Sequence, residues 1–202
     1  MKKSLFLMVV LLACSVPCSW AAGGRAAEIL NGLASHVRAL GSYEVAFSVA
    51  AADHVAAGIY AVQGDRYYIH MGDAEVYGDA TTRYEVNNQT KEITVDRVDT
   101  SSRNMLNNPT RAFDLVGNEF TVELLWERGA TAAVRLTPKA ARSSLSTMTV
   151  TVDTQQMRPK SVSYDFDGDG VVITVQRMAT ANSAPRTFNR AEYKTYELID
   201  FR

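Results

Sequence analysis

The residues with the clearest chemical potential in this chain are three histidines and a run of aspartates. His36, His54 and His70 are far apart, and none has another histidine or a carboxylate at the spacing of metal ligands. The sequence has no Gly-x-Ser-x-Gly nucleophile elbow and no glycine-rich phosphate loop after a strand. We therefore expect structural or surface histidines, no metal site, no cofactor and no catalytic residue.

The aspartate run matches the first half of a calcium-binding loop. Asp165, Asp167, Asp169 and Gly170 fit its opening pattern, but Gln176 stands where the bidentate glutamate belongs. The flanking residues have the pattern of strands, and an Asp-Gly hairpin turn accounts for the same letters. We expect a turn, with a calcium-stabilised module as an alternative that calcium-dependent melting would support.

The N-terminal residues have the layout of a secretory signal peptide. Lys2 and Lys3 precede an apolar run over residues 4–13, Pro17 interrupts it, and small residues precede a cleavage site after Ala21. The apolar run is too short to span a bilayer, which takes ~20 apolar residues. We predict that residues 1–21 are removed on export and that residues 22–202 form a single domain outside the cytoplasm.

Cys14 leaves a second interpretation of the N-terminus open. Residues 11–14, Leu-Leu-Ala-Cys, are similar to a bacterial lipobox, in which the cysteine is lipidated and becomes the new N-terminus. Cleavage after Ala21 would release a freely diffusing protein, whereas processing at Cys14 would leave it tied to a membrane. We expect the first outcome.

The composition excludes several classes of protein. Cleavage after Ala21 removes both cysteines, Cys14 and Cys18, so the mature chain would have no disulfide and no thiol nucleophile. It also removes two of the 21 basic residues, which leaves 19 against 22 acidic residues and a net charge of −3. Since no basic run stands out, nucleic acid and anionic membrane surfaces are not expected as main partners.

Hydrophobic periodicity predicts one helix followed by a long antiparallel sheet. Apolar residues recur at spacings of three and four over residues 25–41, and Gly41 is a plausible stop. Residues 101–116, broken at Pro109, predict a helical insertion. The predicted strands are residues 43–49, 59–62, 67–71, 82–86, 92–98, 120–126, 132–136, 145–152, 161–166 and 171–177. A sheet of about ten strands curls or closes, and its inside can bury the apolar faces of the helix and the insertion.

The order of these elements resembles the periplasmic outer-membrane lipoprotein carrier (LolA) family. The resemblance covers nearly the whole mature chain, including the strand at residues 42–47, the hairpin at residues 58–62 and the Asn108-Pro109 insertion. The most specific match is residues 134–140, where Leu-Thr-Pro-Lys lies between a strand and a short helix. The resemblance implies a mainly β (α+β) fold, a half-open antiparallel β-barrel of about 10–11 strands with an N-terminal helix and a helical lid.

The resemblance also implies a function. Such carriers accept acylated lipoproteins from an inner-membrane transporter, hold the acyl chains in an apolar cavity and hand them to an outer-membrane receptor. Each methylene that moves from water into an apolar cavity gains ~0.8 kcal/mol. Such a cavity can therefore hold acyl chains that are insoluble in water. We therefore expect a monomeric periplasmic carrier whose Phe47→Glu variant folds but fails to hold lipid. The predicted cavity residues are Val45, Phe47, Tyr60, Tyr68, His70 and Tyr84 from the sheet, with Met105, Leu106, Phe113 and Leu115 from the lid.

Two positions depart from the family pattern. Family carriers typically have a basic-Arg-Pro turn after the second strand, and that arginine closes the lid. Here the turn is Gln63-Gly64-Asp65, and Arg66 follows it. Because an offset of one residue turns a side chain to the other face of a strand, it is open whether Arg66 replaces that arginine. His70 stands where an aromatic residue is usual.

Two other functions remain open. A membrane-anchored lipid or lipoprotein receptor, or an envelope sensor, would share the fold, and processing at Cys14 would favour it. An enzyme, such as a hydrolase of envelope lipids or glycans that uses Glu85 or Asp96, is less favoured because the sequence contains no motif that pairs an acid with a base.

Overall fold

The computed structural model describes residues 19–52, 54–99, 110, 113, 119–140, 146–166 and 168–202. Within these residues the chain is mainly β, with one long helix at its start, as the sequence predicts. The helix is α1 (Ser19–Leu40), and a short 3-10 helix, Arg190–Tyr193, precedes the last strand. The strands are β1 (Ser42–Ala51), β2 (His54–Gln63), β3 (Arg66–Met71), β4 (Ala74–Gly78), β5 (Thr82–Asn87), β6 (Glu92–Arg97), β7 (Phe120–Arg128), β8 (Thr131–Pro138), β9 (Met148–Asp153), β10 (Arg158–Phe166), β11 (Asp169–Thr180) and β12 (Glu197–Asp200).

Helix α1 packs on the sheet through one apolar face. Its buried residues, each at most 4% exposed, are Ala26, Ile29, Leu30, Leu33, Ala34 and Val37. Gly41 ends the helix, as predicted: its φ is +66°, and its N–H donates to the carbonyl of Arg38 at 3.2 Å. Glycine adopts this left-handed conformation without steric strain, which makes it a common helix stop.

The helix begins at Ser19, earlier than the predicted residue 25. It therefore spans the predicted cleavage site after Ala21, and both cleavage there and the boundary of the mature domain stay predictions. The remainder of the predicted signal, with Cys14 and Cys18, lies outside the described residues. No described helix is both long enough and apolar enough to cross a membrane.

All twelve described strands belong to one sheet, in the order β12-β6-β5-β4-β3-β2-β1-β11-β10-β9-β8-β7. Two antiparallel meanders, β1–β6 and β7–β11, are joined where β1 pairs with β11. Strand β12 adds to the first meander parallel to β6. Among the described strands, β12 and β7 form the two edges and do not pair with each other, so the half-open architecture is confirmed.

Two strands were not predicted. Strand β4 has only five residues and contains Glu75, so its apolar pattern is short and interrupted. Strand β12 pairs with a strand about one hundred residues away in the sequence, so its pairing has no local signal. They bring the strand number to twelve rather than about 10–11. The predicted insertion over residues 101–116 lies outside the described residues, apart from Thr110 and Phe113.

The sheet buries different faces in different strands. We call the face that packs against α1 the inner face. In β1 to β3 and β7 to β11, inner side chains are buried in one cluster with α1. In β5 and β6 the buried side chains are Val86, Ile93 and Val95, which lie on the opposite, outer face. They are covered by residues 185–202, the C-terminal strap, through Tyr193 and its aromatic neighbours.

Two strand glycines leave room for aromatic rings on the inner face. Phe47 pairs with Gly58 across β1 and β2, and Tyr67 pairs with Gly78 across β3 and β4. A Cβ on Gly58 would lie 2.8 Å from the ring of Phe47, and a Cβ on Gly78 would overlap the ring of Tyr67. Because Gly58 and Gly78 have no side chains, the rings of Phe47 and Tyr67 fit against the strands, where both are almost completely buried.

Candidate functional site

The inner face of β1, β2 and β3 forms an apolar wall. Val45, Phe47 and Tyr60 are at most 1% exposed, and Val45 lies directly opposite Tyr60 in the register of β1 and β2. These side chains share one cluster with Ile69 and with the apolar face of α1. The fold therefore brings together three of the six sheet residues that were predicted to line a cavity.

Tyr60 introduces a hydroxyl into this wall. Its ring contacts Tyr43 edge-on, with 6.1 Å between centroids, and Phe47 at 5.8 Å. Within the described residues the Tyr60 hydroxyl is buried without a hydrogen-bond partner. Burial, together with the nearby Tyr43, raises the pKa of Tyr60 well above its ordinary value of 10.0. The hydroxyl therefore stays protonated and is able to donate.

Of the four predicted lid residues, the structure describes Phe113. It is 4% exposed and lies in the same apolar cluster as Phe47 and Tyr60. Met105, Leu106 and Leu115 lie outside the described residues, so their place in the site stays a prediction.

Tyr68, His70 and Tyr84 do not belong to the inner wall, which corrects the sequence prediction. In the register of β2 and β3, Tyr60 lies opposite Ile69, and alternate residues of a strand point to opposite faces. Tyr68 and Tyr84 therefore lie in the outer cluster, under the C-terminal strap, and His70 is exposed on the outer face. Alternation alone does not tell which set of side chains faces inward; that depends on the strand register.

The outer face holds a buried carboxylate that was not predicted. Glu75 is 9% exposed and accepts hydrogen bonds from the hydroxyls of Tyr68 and Tyr77, both at 2.7 Å. The hydroxyl of Tyr193, from the C-terminal strap, donates to it at 3.1 Å. The only local signal for this site was a glutamate in a short segment with apolar residues, which is weak evidence for a buried acid.

Two further donors complete the network. The side-chain amide of Asn88 donates to Glu75 at 3.1 Å, and the guanidinium of Arg186 in the strap donates at 3.3 Å. Arg186 also lies over the ring of Tyr68, 5.2 Å from its centroid, in a cation–π contact. The carboxylate thus joins β3, β4 and the strap.

The hydrogen bonds determine the protonation state of this carboxylate. Burial by itself would raise the pKa of Glu75, but the donors Asn88, Tyr68, Tyr77 and Tyr193 outweigh it and lower the pKa from 4.5 to about 2. Burial and the bond to Glu75 raise the pKa of Tyr68 to about 12. An anion held in this way is a poor proton acceptor, so the network suits the attachment of the strap rather than acid–base catalysis.

Acid is expected to weaken this attachment. Because the pKa of Glu75 is about 2 in the folded state and 4.5 without these interactions, its contribution to stability is complete above about pH 5 and is lost as the pH falls towards 2. We expect the free energy of unfolding of the wild type to fall by about 2–3 kcal/mol more than that of Glu75→Gln over this interval. Urea titrations followed by circular dichroism measure both profiles, and parallel profiles would contradict the prediction.

A comparison with known families decides the class of this protein. The family model described as outer membrane lipoprotein carrier protein LolA matches residues 20–166, which is more than half of the chain. The chain belongs to the LolA family. The resemblance inferred from the order of the elements is therefore confirmed, and the match extends from α1 to the end of β10.

Solved structures agree with the fold of this LolA family member. An uncharacterized conserved protein from Thermus thermophilus is 9% identical, with a TM-score of 0.55 over 87% of this chain and 99% of the other. MucB is 14% identical, with a TM-score of 0.51 over 81% of this chain and 61% of MucB. A LolA superfamily protein from Nitrosomonas europaea is 13% identical over 83% of this chain and 96% of the other, with a TM-score of 0.38. At these identities the first two show a common fold alone, and no curated protein matches the chain.

Arg66 does not lie on the inner face, so whether it replaces the lid-closing arginine of the family stays open. It begins β3 and is exposed, while its neighbour Tyr67 faces inward. The inner face instead carries Arg83, which lies opposite Gly78 and therefore on the same face as Tyr67. Its guanidinium pairs with Glu85 at 2.8 Å, so one carboxylate of the enzyme alternative is engaged in an ion pair.

The aspartate run forms the turn between β10 and β11, as predicted. Asp165 lies opposite Gly170, and its carboxylate accepts a hydrogen bond from the N–H of Gly168 at 3.0 Å. The φ of Gly168 is +89°, a conformation that glycine provides in tight turns. Asp167 lies outside the described residues, and among the described ones no three His, Cys, Asp or Glu residues are grouped to hold a metal ion.

Proposed function

We propose that the protein is a periplasmic carrier that binds the acyl chains of lipoproteins between α1 and the inner face of the sheet. It accepts them from an inner-membrane transporter and delivers them to an outer-membrane receptor. It acts as a monomer, and it binds and releases its cargo without covalent chemistry.

The observation that carries this proposal is an apolar wall inside a sheet that is open at its edges. Val45, Phe47 and Tyr60 lie in the apolar interior between α1 and the sheet, and Phe113 packs in the same cluster. Each methylene transferred from water to such an interior gains ~0.8 kcal/mol, so an acyl chain of ordinary length has a strong tendency to enter. Because the described edges β7 and β12 are not paired with each other, the sheet can widen without losing backbone hydrogen bonds.

The inner face also has a polar end. Arg83 and Glu85 on β5 form an ion pair on the same face as Tyr67, next to the apolar wall of β1 to β3. A lipoprotein has the same division, since its acyl chains are apolar and the polypeptide attached to them is polar. This polarity supports a ligand with an acyl part and a polar part over a purely hydrocarbon one.

The alternative is a membrane-anchored receptor or envelope sensor that binds lipid in the same interior. The Leu-Leu-Ala-Cys sequence at residues 11–14 favours it. The intact mass of the exported protein separates the two functions. A chain that begins at Ala22 supports the carrier, and a lipidated chain that begins at Cys14 supports the receptor.

A dipalmitoyl-glyceryl-cysteine peptide is expected to bind the mature protein with one-to-one stoichiometry, whereas the same peptide without acyl chains does not bind. Met71→Glu should lower the affinity at least about tenfold, because Met71 is half-buried on the inner face and a carboxylate there opposes an apolar ligand. Native mass spectrometry gives the stoichiometry, and a fluorescence titration gives the affinity.

The matched control is His70→Glu, which places the same charge one residue earlier, on the outer face. It is expected to bind the lipopeptide as the wild type does. The carrier proposal fails if the wild type does not bind the acylated peptide. The inner-wall assignment fails if both variants, each shown to be folded by its melting curve, bind equally well.

A further inference from the structure

The hydroxyl of Tyr60 is a buried polar group without a hydrogen-bond partner among the described residues. It lies on the inner wall. Burying a polar group without a partner costs the free energy of removing it from water. Phenylalanine would fill the same space without that cost, so an unpaired hydroxyl at this position calls for an explanation.

Water is a poor candidate for the missing partner. A buried water is stable where it has two to four polar partners. The residues opposite Tyr60 are Val45 on β1 and Ile69 on β3, and the rings beside it are those of Tyr43 and Phe47. Apart from the hydroxyl of Tyr43 these groups are apolar, so they offer fewer hydrogen bonds than a single buried water needs.

The chemistry of the group limits what the partner can be. Burial raises the pKa of Tyr60, so the hydroxyl is neutral and can donate a proton to an acceptor. The contacts with Tyr43 and Phe47 hold the ring in place, so the position of the donor is fixed before a ligand arrives. A suitable ligand is therefore mostly apolar and has a single strong acceptor among its methylenes.

We propose that Tyr60 donates a hydrogen bond to the ester or amide carbonyl of a bound acyl chain, which makes the site selective for acyl chains over ether-linked and pure hydrocarbon chains. The inference rests on the proposed function, because it requires acyl chains at the inner wall. The carbonyl of an acyl chain lies at the end that is attached to its carrier. The hydrogen bond therefore also determines how far the chain enters.

The test compares two probes that differ in the carbonyl alone: the dipalmitoyl-glyceryl-cysteine peptide and its dihexadecyl ether analogue. The wild type is expected to bind the ester about fivefold to tenfold more tightly, which is the effect of one neutral hydrogen bond. Tyr60→Phe should lose the preference for the ester, with an affinity for the ether that is unchanged. Its melting temperature should equal or exceed that of the wild type, because the unpaired hydroxyl is gone.

Tyr43→Phe is the matched control, since it removes a hydroxyl from the neighbouring ring and should keep the preference for the ester. An ester-to-ether ratio that is the same in the wild type and in Tyr60→Phe would overturn the inference and leave the carrier function standing. Failure of the wild type to bind either probe would instead overturn the proposed function.

Discussion

Replacing Phe47 by glutamate is expected to unfold the protein rather than only to prevent lipid binding. Phe47 is 0% exposed, and its ring packs over Gly58 and beside Tyr60. Removing a buried phenylalanine side chain costs about 3–5 kcal/mol, and burying a carboxyl group in its place adds several more. The sum is comparable to the whole stability of a typical domain, about 5–15 kcal/mol. Thermal melting followed by circular dichroism measures the loss.

Val55→Glu is the control for this experiment. Val55 lies on the neighbouring strand β2 with 76% of its surface exposed, so the same charge there should change the free energy of unfolding by less than about 0.5 kcal/mol. The sequence alone predicted that Phe47→Glu would fold, because it identified Phe47 as a cavity residue without showing how completely it is buried. A Phe47→Glu protein that melts like the wild type would restore that earlier expectation.

Replacing Glu75 by alanine is expected to lower the free energy of unfolding by about 2–4 kcal/mol. The substitution leaves the hydroxyls of Tyr68, Tyr77 and Tyr193 without the carboxylate that accepts from them, and each unpaired buried donor is costly. It also removes the anion opposite Arg186. Tyr193 and Arg186 lie on the C-terminal strap. The strap should therefore become accessible to protease before the rest of the fold does. Urea titration measures the stability, and limited proteolysis measures the exposure of the strap.

Glu123→Ala provides the comparison. Glu123 pairs with Arg135 at 3.3 Å, but its side chain is 60% exposed, and surface ion pairs contribute about 0–1 kcal/mol. The structural role assigned to Glu75 is wrong if its substitution costs no more than that of Glu123, or if protease cuts the strap at the same rate in the wild type and in Glu75→Ala.

The elements that the sequence predicted correctly are those with a local cause. Helix α1 has an apolar stripe at helical spacing and a glycine stop at Gly41, and both act within a few residues. The turn at Asp165 likewise follows from the conformations that aspartate and glycine favour. Strand β4 was missed because its short alternation includes the buried Glu75, whose hydrogen-bond partners are not visible locally.

The structure brings together only part of the predicted set of site residues, because the face on which each side chain lies depends on register. Val45, Phe47 and Tyr60 share the inner wall, whereas Tyr68 and Tyr84 lie on the outer face. All five are apolar or aromatic strand residues, and composition does not distinguish them. The buried apolar face of the sheet changes from inner to outer between β3 and β5. Helix α1 covers the inner face, and the C-terminal strap covers the buried residues of the outer face.

The sequence by itself determined the helix, most of the strands and the family, because each is encoded in patterns of a few residues or in the order of elements along the chain. Only the tertiary structure decided which aromatic residues face the interior, that Tyr60 has a buried hydroxyl without a described partner, and that Glu75 fastens the strap. The physical reason is distance along the chain: Tyr193 and Glu75 are 118 residues apart and meet only when β12 pairs with β6 and the strap packs on the outer face. Register and long-range contacts of this kind are set by the packing of the whole sheet, which no local pattern contains.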